Sequence, residues 1–489
     1  MTTNAITRRE FVRKTGAVSA GITLATVLRP LRMEAKSKHK AERPNILFAI
    51  ADDWSWPHAG IYGDKVAKTP TFDRIASEGM LFHNAFCTAP TCTASRSAIL
   101  TGQDAHRLEA GGNLWSVLPS RFAVYPDILE ANGYCVGYSG KGWSPGNVPD
   151  SGRQRNPAGP AFPSFAEFLR SAPSDKPFCF WFGSFHPHRP YEEGCGHKSG
   201  MRADDVSVPP FLPDEPEVRS DILDYYYEVH QFDLEVGKLL EVLEISGRSE
   251  NTLVVMTSDN GMPFPRAKAN LYEAGIHMPL AIRWPNRVRP GSETNALVGF
   301  TDFAPTFLEA AGIKIPADMT GRSFLDLLIT GKARSRGAVF AERERHANTR
   351  KGNLSYPMRA VRTKDFLYIR NFEPDRWPAG DPELYYAVGP FGDIDQGPTK
   401  RLLLEKRNDK DIRKYFSLAC GKRPGEELFD LRVDAWALRN VVDKAEYADI
   451  LKKLRTRLDK WMQDTADPRA VNAHDYRWDR YKYYGERAK

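Results

Sequence analysis

Four times along the chain a short apolar run ends in polar or charged residues. Residues 45–50 (NILFAI) run into Asp52-Asp53, and 134–139 (YCVGYS) run into Gly140-Lys141. Residues 178–182 (FCFWF) enter a loop bearing His186 and His188, and 252–256 (TLVVM) lead to Ser258-Asp259-Asn260-Gly261. Unbroken runs of this length are the pattern of strands buried on both faces. Between them the apolar spacing is helical. The stretch 69–79 predicts a helix with Thr71 as cap, Ile75 and Ala76 on one face and Gly79 as stop; SRSAILTG starts a second, 126–131 a third, and 218–245 a long one. Strands alternating with helices predict an α/β domain with a largely parallel sheet. In such sheets ligands bind beyond the carboxyl ends of the strands. Asp52-Asp53, Lys141, His186/His188 and Asp259-Asn260 therefore fall at one shared crevice.

From about residue 335 the texture changes. Residues 356–372 (YPMRAVRTKDFLYIRNF) alternate as strands do, 380–424 read as charged loops, and 445–465 form an amphipathic helix. The expected layout is an export signal and linker over 1–43, a catalytic domain over 44–335, and a smaller α+β domain over 336–489.

Composition narrows the classes. With 489 residues, 41% hydrophobic and 27% charged, the chain is neither disordered nor fibrous and is too long for one ordinary core. The formal charge of +7 points to an acidic partner until it is located: residues 1–43 hold ten lysines and arginines against three glutamates, the whole excess. The body of the chain is neutral, which leaves no global case for nucleic acid. The same start carries TRREFVR (7–13), followed by uncharged residues 15–28. That run is too short for the ~30 Å hydrocarbon core of a membrane. It suits a signal peptide, and paired arginines are a receptor-read export address. A periplasmic or secreted protein with no stable membrane span is expected. Six cysteines without a C-x-x-C pair make neither a disulfide framework nor a zinc site.

Asp52-Asp53 alone is a helix cap with a solvated neighbour, and Asp259-Asn260-Gly261 alone is an ordinary turn. Together they supply three carboxylates and an amide, hard oxygen ligands suited to Ca²⁺ or Mg²⁺, and adjacent acids repel unless a cation neutralises them. Arg96, Lys141, His188 and Lys268 are singly unremarkable surface or loop residues; jointly they make an oxyanion pocket. Cys92, in APTCTASRSAILTG (89–102), reads equally as apolar filler, half of a disulfide, a thiolate nucleophile or the precursor of another group.

CTASRSAILTG resembles the signature of the type I sulfatases. ADDW, TPTFDRIASEGMLFHNAF, SGKGW, PHRPY, TSDNG and the closing EELFDL, RNVV and TADP have family counterparts in the same order. Within the family, SDNGMPFPRAKANLYEAG and SYPMRAV are most similar to the heparan N-sulfatases. The resemblance implies an alkaline-phosphatase-like fold and a Cα-formylglycine nucleophile made from Cys92 by a formylglycine-generating enzyme. It further implies one Ca²⁺ held by Asp52, Asp53, Asp259, Asn260 and the oxygen at position 92, and a sulfated saccharide as substrate. Arg96 would hold the formylglycine, Lys141 and Lys268 would clamp the sulfate, and His188 with Lys268 would protonate the leaving group. Trp54, Trp56, His58, Arg189, Tyr191 and His346 are candidates for substrate contacts, through ring stacking and bidentate arginine grips. Two departures stand out. Trp143 replaces a common family histidine, so that deprotonation is helped by another group such as His106 or goes unassisted; Lys268 stands where sulfamidases usually carry arginine. Alternatives are an O-sulfatase on another polysaccharide, a phosphonate or phosphate monoester hydrolase on the same scaffold, and a non-catalytic glycan-binding protein.

Overall fold

β1 (Asn45–Ala51) is buried at every position in the computed structural model, which describes residues 43–332 and 336–487. The expected export signal lies outside the described residues. Ile46, Phe48 and Ile50 join one core cluster, while Leu47, Ala49 and Ala51 join the other. The unbroken apolar run is thus what a strand covered on both faces requires. β1 pairs in parallel with β4 (Phe178–Gly183) and β5 (Thr252–Ser258), and β3 (Cys135–Gly140) lies parallel outside β4. Beyond β5 the sheet continues through β6 (His277–Arg283), β2 (Met80–Phe86) and β7 (Ser292–Thr294), with β8 (Val298–Gly299) also on β2. In this sheet β6 alone runs against its neighbours. The fold is therefore the expected α/β arrangement around a large, mostly parallel sheet.

Two central strands lie outside the sequence expectation. β2 carries His83-Asn84 and shifts register between Phe82 and Ala85, while β6 contains Pro279, so neither presents an unbroken apolar run.

α1 (Pro70–Ser77) begins one residue after Thr69, and no side chain of its own caps it. The expected cap by Thr71 is corrected: the backbone N–H groups of Thr71 and Phe72 donate to Asp233 at 2.9 and 2.8 Å. Asp233 belongs to the long helix, labelled α3 (Pro216–Ile245), so the cap comes from a packed neighbour. α2 (Cys92–Thr101) stops at Gly102, whose φ of 65° is the left-handed conformation that glycine adopts without cost.

The C-terminal residues build an antiparallel sheet, order β12 (Glu426–Asp430), β11 (Phe366–Asn371), β10 (Met358–Arg362), β9 (Val339–Arg343). α4 (Ala448–Asp464) covers it with Leu451, Leu454, Leu458, Trp461 and Met462, packed on Val361, Tyr368 and Leu428. The segment expected as loops over 380–424 contains two short helices, Pro398–Glu405 and Arg413–Cys420. We propose residues 336–489 as the smaller domain on this basis. Among the described residues no helix is long and apolar enough to cross a membrane.

A buried charge network ties the antiparallel sheet to the segment after α2 and to the chain beyond α4. His106 Nδ1 lies 2.9 Å from Glu342, Arg359 pairs with Asp467 at 2.6 Å, and Arg469 pairs with Glu344 at 2.8 Å. Burial pushes the His106 imidazole down, but the Glu342 carboxylate outweighs it and raises the pKa to about 9. A base whose folded pKa is raised contributes stability that is complete below its unfolded pKa near 6.5 and lost as pH climbs through 9. The ceiling is roughly 3.5 kcal/mol at about 1.4 per pKa unit. Urea unfolding from pH 6 to 10 should show this loss, and a His106→Gln variant should flatten it. Parallel profiles for the two proteins would dismiss the ion pair as its source.

Candidate active site

Strand register alone brings the polar tips into one row. Ala51 of β1 lies opposite Ser258 of β5, so Asp52-Asp53 and Asp259-Asn260 leave the sheet side by side. Ile50 lies opposite Gly183 and Gly183 opposite Gly140, which sets Lys141 beside the loop that carries His188. The Lys141 N–H donates to the Gly183 carbonyl at 2.7 Å, and a Cβ on Gly183 would sit 1.8 Å from the Lys141 oxygen, so this approach requires glycine.

Cys92 is the first residue of α2, and its Sγ–H donates to Asp52 Oδ1 at 3.2 Å. Lys141 Nζ donates to Asp52 Oδ2 at 2.5 Å, and Lys268 Nζ to Asp53 Oδ2 at 2.7 Å. Asp259 Oδ2 takes Arg96 Nε at 2.8 Å, while its Oδ1 accepts from the backbone of Asn260 at 2.8 Å and of Asp53 at 3.2 Å. The Asn260 amide nitrogen donates to Asp53 Oδ1 at 2.7 Å. Asp53 holds a φ of 80°, rare for a residue with a side chain and characteristic of strained functional positions.

The electrostatics are those of a compressed charge cluster. Burial pushes the Asp52 carboxyl up, but Lys141, with His188, Arg96 and Lys268 behind it, holds it well below the usual carboxylate range. Burial dominates at Asp53 and raises it to about 6 against the pull of Lys268. At Cys92 burial, reinforced by the Asp52 charge, pushes the thiol well above its ordinary pKa. Burial and the neighbouring carboxylate both oppose a thiolate at this position. All six cysteines are free, so none is held in a disulfide.

The donors fit a hard divalent cation. Ligand atoms of Asp52, Asp53, Cys92 and Asp259 lie within 4.8 Å of one another. Asn260 Oδ1 is buried without a partner, a carbonyl oxygen with an unfilled lone pair in the same nest. Arg96 Nη2 is likewise buried and unpartnered, 3.9 Å from Asp52 Oδ1. Its other nitrogens are committed to Asp259 and to the carbonyls of Lys141 and Gly142, so Arg96 is a fixed donor aimed at the nest.

His188 marks the open side. Its side chain is 38% exposed, Nε2 lies 3.9 Å from Asp53, and Nδ1 contacts the Arg189 carbonyl at 2.5 Å. His346 is buried, with Nδ1 2.9 Å from Thr91 Oγ1, directly before Cys92. Burial lowers its pKa to about 4, so it stands neutral beside Lys268.

Trp54, His58, His106 and Arg189 are buried in contacts of their own, and the expectation of substrate contact is corrected for these four. Trp54 is fully buried, packed edge-on against Phe72 and Phe232. His58 sits between Asp64 and Tyr226. His106 commits both ring nitrogens to Glu342 and the Thr465 carbonyl, in the charge network described above. The Arg189 guanidinium is held by Asp221 at 2.8 Å between the Tyr191 and Phe264 rings, and the Tyr191 hydroxyl donates to the Pro187 carbonyl. Trp56 stacks on His277. Aromatic and arginine residues near a crevice are as readily recruited to hold its walls as to line it.

Asp395 was not foreseen. Its carboxylate accepts from Lys268 Nζ at 3.0 Å and groups with Asp53 and His188 at the open edge. It arrives from a loop some 130 residues beyond Lys268, with no local motif to announce it.

The profile of the family described as Sulfatase matches residues 44–156 and 158–313. That of N-sulphoglucosamine sulphohydrolase, C-terminal, matches 266–383. An ulvan-active sulfatase of Formosa agariphila is 29% identical to this chain, the match covering 87% of it and 76% of the relative. Human N-sulphoglucosamine sulphohydrolase is also 29% identical, with 88% and 92% covered. The solved structure of a protein in complex with its substrate D-glucosamine-2-N,6-O-disulfate superimposes with a TM-score of 0.64 at 21% identity, over 88% of this chain and 100% of that one, a likeness of fold.

Proposed function

The chain belongs to the sulfatase family and is a sulfuric ester hydrolase, and from that premise we propose that it removes sulfate from a sulfated carbohydrate, with Cys92 converted to formylglycine as its nucleophile. The observation that carries this reading is the single buried nest in which Cys92, Asp52, Asp53, Asp259 and Asn260 meet. Asp52, Asp53, Asp259 and the Asn260 carbonyl oxygen would hold Ca²⁺. Those groups when present would supply a hydrated aldehyde oxygen for attack on sulfur and a Lewis acid that withdraws charge from the sulfate.

The chain's own residues do the rest. Lys141 and Lys268 bring ammonium groups to the nest, each now resting on an aspartate that a cation would engage instead. Freed from those carboxylates, both donate to sulfate oxygens. His188 donates Nδ1–H to the Arg189 carbonyl, so Nε2 is the atom that carries a proton to the leaving oxygen or nitrogen. Asp53 and Asp395 lie beside it at the same edge. Arg96 points its free Nη2 at the attacking group.

An N-sulfated amino sugar is the first choice of substrate, supported by the match to the sulphoglucosamine sulphohydrolase C-terminal region and to the human enzyme. An O-sulfate is the second, favoured by the equal identity to the ulvan-active sulfatase. Export by a twin-arginine signal and maturation by a formylglycine-generating enzyme complete the proposal.

Matured protein assayed on N-, 2-O-, 4-O- and 6-O-sulfated saccharides tests it: sulfate release from one regioisomer is expected, and release from none would overturn the carbohydrate assignment. Lys268→Ala should cost on the order of 10³-fold on saccharides but about tenfold on an activated aryl sulfate, whose departure needs no proton. Equal losses on both would take Lys268 away from the leaving group.

A further inference from the structure

Asp395 stands apart from the other carboxylates of the cluster. The side chains of Asp52, Asp53 and Asp259 are at most 2% exposed, whereas that of Asp395 is 25% exposed. It lies outside the donor set that fits the cation. Instead it groups with Asp53 and a ring nitrogen of His188, the ligand atoms of the three lying within 4.8 Å of one another. Its Oδ2 accepts from Lys268 Nζ at 3.0 Å. Its Oδ1 accepts from none of the described residues, so an acceptor without a donor is left to the open edge.

That acceptor is held in place. Two residues earlier, Asp393 takes both Arg343 and Arg350, and its N–H donates to the Ala379 carbonyl at 2.9 Å. Lys400 Nζ donates to the Ile394 carbonyl at 2.7 Å, and Lys268 fixes the carboxylate itself. A group pinned at backbone and side chain adapts little to a mismatched ligand. Around it Arg96, Lys141 and Lys268 attract anions of any pattern, so positive charge alone does not tell one sulfate from two.

We propose that Asp395 is a specificity-determining residue of this crevice: it accepts from a hydroxyl or N–H on the ring carbon beside the sulfated one and refuses a second sulfate or a carboxylate there. This role rests on the sulfatase reading above, in which His188 faces the leaving atom. Substituents on adjacent ring carbons lie side by side, so a sugar whose leaving atom meets His188 brings a neighbouring substituent to Asp395. A hydroxyl there supplies the missing proton. A sulfate or carboxylate sets acceptor against acceptor, and a fixed polar group left unmatched in a desolvated site rejects such a ligand.

Two aryl sulfates of one scaffold probe this, 2-hydroxyphenyl sulfate and 2-carboxyphenyl sulfate. Each is titrated by calorimetry into the calcium-loaded full chain carrying Cys92→Ala, so that neither is turned over. The hydroxyl probe should bind about 30-fold tighter. Adding Asp395→Asn should reverse the preference. Lys268 Nζ only donates, so the amide gives it the oxygen and turns its NH₂ to the crevice, a donor where the carboxylate had an acceptor. Asp395→Ala, which offers neither, should bring the two affinities within about threefold. A preference unchanged by Asp395→Asn would overturn the proposal and leave the sulfate site standing. Binding of neither probe would remove the sulfate site, and this role of Asp395 with it.

Discussion

Cys92→Ala keeps the fold and loses turnover by a factor on the order of 10⁵. The fold survives because the thiol carries little of it. Cys92 contributes one long S–H contact to Asp52, whose carboxylate keeps Lys141 at 2.5 Å, and α2 retains its glycine stop and backbone ladder. Turnover fails because the carboxylates of the nest are engaged by Lys141, Lys268 and Arg96, which leaves residue 92 as the group placed to attack sulfur. Melting temperature within about 2 °C of the parent, with sulfate release at background, is the expected pair of results. A variant that still turns over would show that residue 92 is not the nucleophile.

Asp259→Ala is the second large effect, and it strikes stability and activity together. Asp259 receives the buried Arg96 guanidinium and two backbone N–H groups, so its removal strands a cation whose Nη2 is already unpartnered. Breaking a buried pair from one side costs about 3–5 kcal/mol. Turnover should fall by on the order of 10³ or more, with loss of bound calcium by elemental analysis. Asp259→Asn separates the two consequences. The amide oxygen still serves the backbone donors, so part of the stability returns, but Arg96 stays without its carboxylate and the charge that attracts the cation is gone. Near-normal activity in the asparagine variant would remove Asp259 from the ligand set.

Much of this geometry could be read from the chain because register carries it. Four apolar runs became β3, β4, β1 and β5, adjacent and parallel, and the residues just past their ends met as the α/β rule requires. What stayed hidden came from partners distant in sequence. Asp233 replaces the expected cap of α1, and Asp395 reaches Lys268 from a loop without periodicity. β2 and β6 are interrupted by His83-Asn84 and by Pro279 and gain their strand character only between neighbours. The inward turn of Trp54, His58 and His106 teaches the same point. Residue type says that a ring or a charge is near the crevice, whereas only packing decides which way it faces.

The central claim is that position 92 becomes an aldehyde inside a cation-binding nest. Mass spectrometry of the peptide spanning Cys92, from protein co-produced with a converting enzyme and shown to be active, tests it most directly. A loss of about 18 Da relative to the unmodified peptide is the predicted result, since sulfur is exchanged for oxygen with loss of two hydrogens. Full activity from protein whose Cys92 is wholly an unmodified thiol would contradict it.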